Sequence, residues 1–224
     1  MDDLTVLADR FGSDKGTKSA AHGYTRIYNK LFEHQRNSVI TLVEIGLGRP
    51  DTPSLRMWRQ YFEVGHIFGF DVGDFSNATV KGCTIIQGDM SVKDDLARLV
   101  SRVGRPIDIL IDDGSHVSHH QQIALATLFS KLSPGGIYAI EDLHWRNVSL
   151  EREGAYKTRD ILRRFFSTGK IESPYMSEVE RSYLEENIKT LTLFDSLTLA
   201  QEDFTDALAI LVKKDGQQEY TREA

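Results

Sequence analysis

The sequence predicts an α/β fold with a doubly wound, mostly parallel, seven-stranded sheet that ends in an antiparallel hairpin. Short apolar runs alternate with helical segments between residues 39 and 142, and two more strand patterns follow each other near the C-terminus. Strands separated by helices form parallel sheets with helices on both faces. Because such sheets bind ligands at the carboxyl ends of their strands, a functional site is expected at that edge.

The predicted elements follow one another in a regular order. Residues 1–37 carry apolar residues at helical spacing and predict an N-terminal helical cap. Predicted strands follow at 39–48, 66–72, 83–90, 107–113 and 137–142, with helices at 52–62, at 91–103 and between the fourth and fifth strands. The charged helical stretch 143–186 predicts a lid. The segments TLTLFDSLTLAQ (190–201) and ALAILVKK (207–214) predict the hairpin at the sheet edge.

Composition limits the class of protein. A chain of 224 residues without a Pro/Gly/Ser-rich linker is expected to form a single domain, 1–224. Its 27 basic residues are scattered among 33 acids, so we expect no nucleic-acid partner. No apolar run approaches the ~20 residues of a membrane span. The single cysteine, Cys83, and the lack of a secretory signal pattern indicate a cytoplasmic protein.

Acidic residues gather at the predicted strand ends. The seven are Glu44, Asp71, Asp89, Asp112, Asp113, Glu141 and Asp142. Like charges that converge on one crevice repel each other unless cations or hydrogen-bond donors lie between them. We therefore expect a ligand there, although acids that merely hydrate the strand ends are the alternative.

The glycine-rich turn after the first strand favours S-adenosylmethionine as the cofactor. In EIGLG, which includes Gly46, the third glycine of a dinucleotide fingerprint would fall at Asp51, and no Lys-Ser/Thr pair follows to hold a triphosphate. Glu44 would repel a phosphate but attract an aminoacyl ammonium group.

The next two strand ends fit the nucleoside half of this cofactor. Asp71 can accept hydrogen bonds from both hydroxyls of a ribose. Asp89, or the backbone amide of Met90 beside it in the sequence GDM, can meet an adenine amino group.

A second group of residues predicts a metal site. Asp113 lies one strand–helix–strand unit before Glu141 and Asp142, so the three carboxylates are expected on adjacent strand ends, as oxygen ligands suited to Mg²⁺. His116 follows a Gly-Ser turn and would be neutral near a dication, so it could act as a general base. The alternative for His116 is an ordinary surface histidine, which is what we expect His119 and His120 to be.

Several motifs resemble one known family. GSDKGT, LVEIGLG, SLRMWRQYF, FGFDV, IQGDMS, IDDGSHVSHH and LSPGGIYAIEDL occur in this order between about residues 11 and 145. They resemble the metal-dependent sugar O-methyltransferases of macrolide antibiotic biosynthesis. The resemblance implies a Rossmann-like class I methyltransferase fold, S-adenosylmethionine, Mg²⁺ held by Asp113, Glu141 and Asp142, and His116 as general base. It also places Tyr24 near cofactor or acceptor, although an aromatic residue that packs the first helix is the alternative.

The predicted activity is O-methylation of a sugar hydroxyl of a glycosylated natural product or glycan, with S-adenosylmethionine and Mg²⁺ or another divalent cation as cofactors and a small-molecule glycoside as the expected substrate. The family's macrolide enzymes carry a large extra N-terminal region that helps to form their oligomer and frame their substrate, whereas this sequence starts almost at the catalytic domain. The resemblance therefore does not identify the acceptor of this protein. A homo-oligomer is possible, but the resemblance does not predict one. A catechol methyltransferase is the nearest alternative, although the arginines of the lid (Arg146, Arg152, Arg163 and Arg164) favour a polar acceptor. A catalytically silent binding protein is the alternative from another class.

Overall fold

The computed structural model describes residues 3–19, 22–78, 80–145, 149–195 and 208–216. Seven strands form one sheet: β1 (Thr41–Ile45), β2 (His66–Asp71), β3 (Cys83–Gln87), β4 (Ile107–Asp112), β5 (Leu132–Ile140), β6 (Ile188–Phe194) and β7 (Leu208–Lys213). The strand order is β3-β2-β1-β4-β5-β7-β6. β1 to β5 are parallel, whereas β7 pairs antiparallel with both β5 and β6. The predicted fold class and hairpin are confirmed. Residues 196–201 of the predicted sixth strand and residue 207 of the seventh lie outside the described residues.

The helices are α1 (Leu4–Phe11), α2 (Thr25–Phe32), α3 (Pro53–Tyr61), α4 (Lys93–Val103), α5 (Ser118–Leu128), α6 (Thr158–Thr168) and α7 (Glu178–Asn187). The predicted N-terminal cap contains two helices, with a loop between them. Gly12 ends α1 in the left-handed conformation, with a φ of 73°, and its N–H donates to the carbonyl of Ala8. Glycine adopts this conformation without a steric penalty, so the chain turns here toward the sheet.

Side chains of the central strands alternate between two apolar cores. Val43 and Leu110 belong to the core with α4 and α5, whereas Leu42 and Ile111 belong to the core with α1, α2 and α3. Successive side chains of a strand point to opposite faces, so the face of each strand-end acid follows from this alternation. Glu44 and Glu141 therefore lie on the face covered by the N-terminal helices.

The segment predicted as a lid contains α6 and α7. Both helices contact α5, and Leu162 and Leu184 are buried in the same core as α5. Whether this segment covers a bound ligand stays a prediction. Of the lid arginines that favour a polar acceptor, Arg146 lies outside the described residues. None of the helices in the described part of the chain has the length and apolar character needed to span a membrane.

Candidate active site

A cavity of about 630 Å³ lies at the carboxyl ends of the central strands. Residues that follow β1, β2, β3, β4 and β5 line it, among them Gly46, Asp71, Asp89, Asp113 and Asp142. A cavity of this size is typical of a small-molecule or cofactor site. The structure thus brings four of the predicted cofactor residues and two of the three predicted metal ligands to the same opening, whereas Glu44 and Glu141 do not line it.

Gly46 allows β1 and β4 to approach each other at the floor of this cavity. Its φ is 88°, and its N–H donates to the carbonyl of Phe70 at 2.8 Å. A Cβ at this position would lie 1.9 Å from the carbonyl oxygen of Asp113, a contact that the backbone could not accommodate. Only glycine fits here, which is the physical reason for the turn in EIGLG.

The carboxylate of Asp71 is held at the cavity by backbone amides. It accepts hydrogen bonds from the N–H groups of Leu47 and Gly73, each at 2.7 Å. An ionised carboxylate can accept about four hydrogen bonds, so Asp71 can still accept hydrogen bonds from the hydroxyls of a ribose. Asp89 and Met90 also line the cavity, and Asp89 accepts the N–H of Ser91 at 2.8 Å.

Glu44 lies deeper than the other predicted cofactor residues. It is fully buried, it accepts the hydroxyl of Ser54 at 2.7 Å, and Ser54 in turn lines the cavity. Burial raises the pKa of Glu44 to about 7, although Lys15 and Ser54 oppose this effect. Its predicted contact with an ammonium group stays a prediction.

Lys15 joins three of the strand-end acids in what we call the inner cluster: Lys15, Glu44, Asp113 and Glu141. Its ammonium group contacts the carboxylate of Asp113, lies 2.9 Å from Glu141 Oε2 and lies 3.5 Å from Glu44 Oε1. Lys15 is only 1% exposed. Burial alone would lower its pKa, but the surrounding carboxylates hold the pKa well above the ordinary value, so the lysine stays charged.

Lys15 is a functional residue that the sequence pattern did not predict. It lies in the loop after α1, and its partners Asp113 and Glu141 are 98 and 126 residues away in the chain. A lysine in a polar turn such as GSDKGT is normally a surface residue. The only available signal was that several buried acids need a compensating cation.

Glu141 is committed to the inner cluster in this structure. Oε2 contacts Lys15, and Oε1 accepts the hydroxyl of Tyr28 at 2.7 Å. Burial raises the pKa of Glu141 well above its ordinary value, with a contribution from the charge of Asp113, and Lys15 opposes the rise.

Asp113, His116 and Asp142 form what we call the outer cluster. Each offers one ligand atom, and these atoms all lie within 4.8 Å of one another. Ligands of an ion at about 2.0–2.6 Å are separated by up to about 4–5 Å, so two carboxylates and an imidazole at this spacing fit a divalent cation. Of the three predicted ligands, the structure brings together Asp113 and Asp142, while Glu141 lies beside them with its oxygens on Lys15 and Tyr28. The predicted ligand set as a whole stays a prediction.

Two members of the outer cluster have an unusual backbone conformation. The φ angles of His116 and Asp142 are 56° and 53°. Each such residue costs about 1–3 kcal/mol, and such strain is concentrated at functional sites. His116 Nε2 lies 3.8 Å from Asp142 Oδ2, which places the predicted base directly beside a predicted metal ligand.

Tyr24 packs within the N-terminal cap, and its predicted contact with cofactor or acceptor stays a prediction. It is buried among the aromatic residues of α2, and its hydroxyl donates to Asp142 Oδ1 at 2.5 Å. The N-terminal cap therefore contacts both clusters, through Lys15 and Tyr28 on the inner side and through Tyr24 on the outer side.

The prediction that His119 is a surface residue was wrong, and His120 is partly exposed. His119 is 4% exposed because its ring packs against His120 and Tyr175. His120 Nδ1 lies 2.8 Å from the hydroxyl of Ser115, and its ring lines the cavity. Burial lowers the pKa of both histidines, which favours neutral rings. The residues before α7 cover the first turn of α5, a contact that the local sequence does not reveal.

Comparison with known proteins supports the predicted resemblance. No family model matches the chain. It is 43% identical over 145 residues to 8-demethyl-8-α-L-rhamnosyl tetracenomycin-C 2'-O-methyltransferase of Streptomyces olivaceus, over 62% of this chain and 37% of the relative. It is 38% identical over 146 residues to mycinamicin VI 2''-O-methyltransferase of Micromonospora griseorubida, over 63% of this chain and 36% of the relative. The chain thus spans little more than a third of these relatives.

Solved structures extend the match to nearly the whole chain. A structure of MycE methyltransferase from the mycinamycin biosynthetic pathway, in complex with Mg and SAH, has a TM-score of 0.75 and 28% identity over 97% of this chain and 56% of MycE. A second MycE structure, which also contains mycinamycin VI, has a TM-score of 0.76 and 27% identity. The resemblance to sugar O-methyltransferases is confirmed over the matched residues, and the chain has the class I methyltransferase fold.

Proposed function

We propose that this chain is an S-adenosylmethionine- and Mg²⁺-dependent O-methyltransferase that acts on a sugar hydroxyl of a glycosylated natural product. The observation that carries the proposal is that one cavity is lined both by Asp71 and Asp89 and by the outer cluster. A methyl donor and a metal-bound acceptor would therefore meet at the same opening. The names of the sequence relatives support a sugar as the acceptor.

The residues of the chain have distinct roles in this proposal. Asp71 would hold the ribose of the cofactor, and Asp89 and the amide of Met90 would face its adenine. Asp113 and Asp142 would hold Mg²⁺, and Glu141 would join them only by releasing Lys15 or Tyr28. When bound, S-adenosylmethionine supplies the methyl group to the acceptor oxygen, and Mg²⁺ polarises the acceptor hydroxyls.

His116 would take the proton of the acceptor hydroxyl at Nε2, the ring nitrogen that faces Asp142. The residue has a left-handed φ of 56°, and its ring lies beside the carboxylate of Asp142. Leu150, from the predicted lid, lines the cavity, and an apolar side chain at this point would help to keep water from the reacting atoms. A cytoplasmic location stays a prediction from the sequence.

Purified protein incubated with S-adenosylmethionine, Mg²⁺ and a rhamnosylated tetracenomycin or mycinamicin VI would test this function. We expect mass spectrometry to show the gain of one methylene unit on the sugar, and EDTA to abolish it. The proposal fails if a catechol is methylated and no glycoside is, or if turnover persists at full rate in EDTA.

A further inference from the structure

Trp145 lies against the outer side of His116. It is one of two tryptophans in the chain, and 49% of its surface is exposed, whereas Trp58 is fully buried. Its backbone N–H donates to the carbonyl of Asp142 at 2.9 Å, so a backbone turn after β5 places Trp145 close in the chain to the outer cluster. The half-exposed indole is amphipathic, and its position beside His116 makes it available to a ligand that reaches the outer cluster.

Trp145 and His116 contact each other in an edge-to-face arrangement, and about half of the Trp145 surface stays exposed. The centroids of the two rings are 5.6 Å apart, and their planes meet at 70°. Such an edge-to-face arrangement is favourable for aromatic pairs and restrains the imidazole. The exposed part of the indole can therefore contact a ligand that reaches the base.

The ring of His116 has two neighbours: the cavity proposed for the cofactor and the indole of Trp145. It lines the cavity proposed for the cofactor, and it also contacts Trp145, which does not belong to the described lining of that cavity. An acceptor oxygen must approach both His116 and the methyl group. An acceptor that meets both would lie beside the outer cluster, on the side of His116 that Trp145 contacts.

The chemistry of a pyranose matches this position. Its hydroxyls can meet the carboxylates and a bound cation, while the C–H groups on one face of the ring are apolar and weakly positive. The face of an indole is apolar and electron-rich, so it complements that side of the sugar. We propose that Trp145 is the platform on which the acceptor sugar lies, which makes it a specificity-determining residue for the proposed function.

The proposal rests on the proposed function and has a readout that is independent of turnover. Because Trp58 is buried, the fluorescence response to a ligand should come from Trp145. We expect methyl α-L-rhamnopyranoside, added to protein with S-adenosylhomocysteine and Mg²⁺, to change this fluorescence in a saturable way. The response should disappear in Trp145→Phe.

Kinetics provide the second measurement. Trp145→Ala should raise KM for the glycoside about tenfold or more, while kcat changes less and the affinity for S-adenosylhomocysteine stays the same. Trp145→Phe should retain part of the affinity. Phe166→Ala, at an exposed aromatic residue of α6, is the matched control and should leave KM unchanged.

The outcomes separate the two proposals. If the wild-type protein methylates no glycoside, the proposed function fails, and the sugar platform fails with it. If the wild type methylates a glycoside but KM is unchanged in Trp145→Ala, or if the glycoside leaves the fluorescence unchanged, only the role of Trp145 is overturned.

Discussion

The inner and outer clusters contain the same kinds of acid but are neutralised in different ways. In the inner cluster, Lys15 compensates Glu44, Asp113 and Glu141, and the hydroxyls of Ser54 and Tyr28 donate to two of them. In the outer cluster, Asp113 and Asp142 lie beside an imidazole and closer to solvent. One part of the acid-rich crevice thus contains its own cation, Lys15, whereas the other part has the spacing to hold an external ion.

Asp113 belongs to both clusters, so its replacement should have the largest effect. Asp113→Asn removes a negative charge from the metal site, and we expect turnover to fall by about 10³-fold or more because metal polarisation contributes several kcal/mol. Calorimetry should show loss of Mg²⁺ binding with S-adenosylhomocysteine binding retained. Asp94→Asn, at an exposed acid of α4, is the control. Normal Mg²⁺ binding by Asp113→Asn would contradict the assignment.

His116 belongs to the outer cluster alone. His116→Ala should lower kcat by about 10²- to 10⁴-fold if the imidazole removes the proton. Mg²⁺ should still bind, because the carboxylates of the outer cluster stay in place. His34→Ala, at an exposed histidine, should have the wild-type rate. An unchanged rate in His116→Ala would mean that another group takes the proton.

Replacement of Lys15 tests whether this residue neutralises the inner cluster. Lys15→Met leaves buried carboxylates without their cation, and breaking a buried ion pair in this way costs about 3–5 kcal/mol. Urea denaturation at neutral pH should show a free energy of unfolding reduced by this amount. Lys18→Met, at an exposed lysine of the same loop, should change it by less than about 0.5 kcal/mol. Equal stabilities of the two variants would show that Lys15 does not neutralise the inner cluster.

Two tyrosines of the N-terminal cap allow a matched comparison with smaller effects. Tyr28 donates to Glu141 in the inner cluster, and Tyr24 donates to Asp142 in the outer cluster. Tyr28→Phe should lower the free energy of unfolding by about 1–3 kcal/mol, because a buried carboxylate loses a donor. Tyr24→Phe should instead weaken Mg²⁺ binding about tenfold, as is typical for partners of metal ligands. If the two variants behave alike, the clusters are not functionally distinct.

The fold could be predicted because its signals are local. Apolar runs that end at acids mark strands with their carboxyl ends at a ligand site, and Gly46 marks a close approach of two strands. Asp71, Asp113 and Asp142 reach the same cavity because parallel strands end at the same sheet edge.

The remaining features depend on contacts between distant parts of the chain. Lys15 reaches the acids only because the loop after α1 folds over the sheet, and no periodic pattern marks such a loop. His119 is buried because Tyr175 covers it, and the first turn of an isolated helix gives no sign of this. The left-handed conformation of His116 and Asp142 is more common for His and Asp than for most residues, but nothing in the local sequence marks these two positions for it.

The most direct test is a crystal structure with Mn²⁺ and S-adenosylhomocysteine, in which anomalous scattering locates the ion. We predict one ion bound by the carboxylates of Asp113 and Asp142, next to His116, with the ammonium of Lys15 still among the inner carboxylates. An ion bound away from Asp113 and Asp142, or no bound ion at saturating Mn²⁺, would contradict the account.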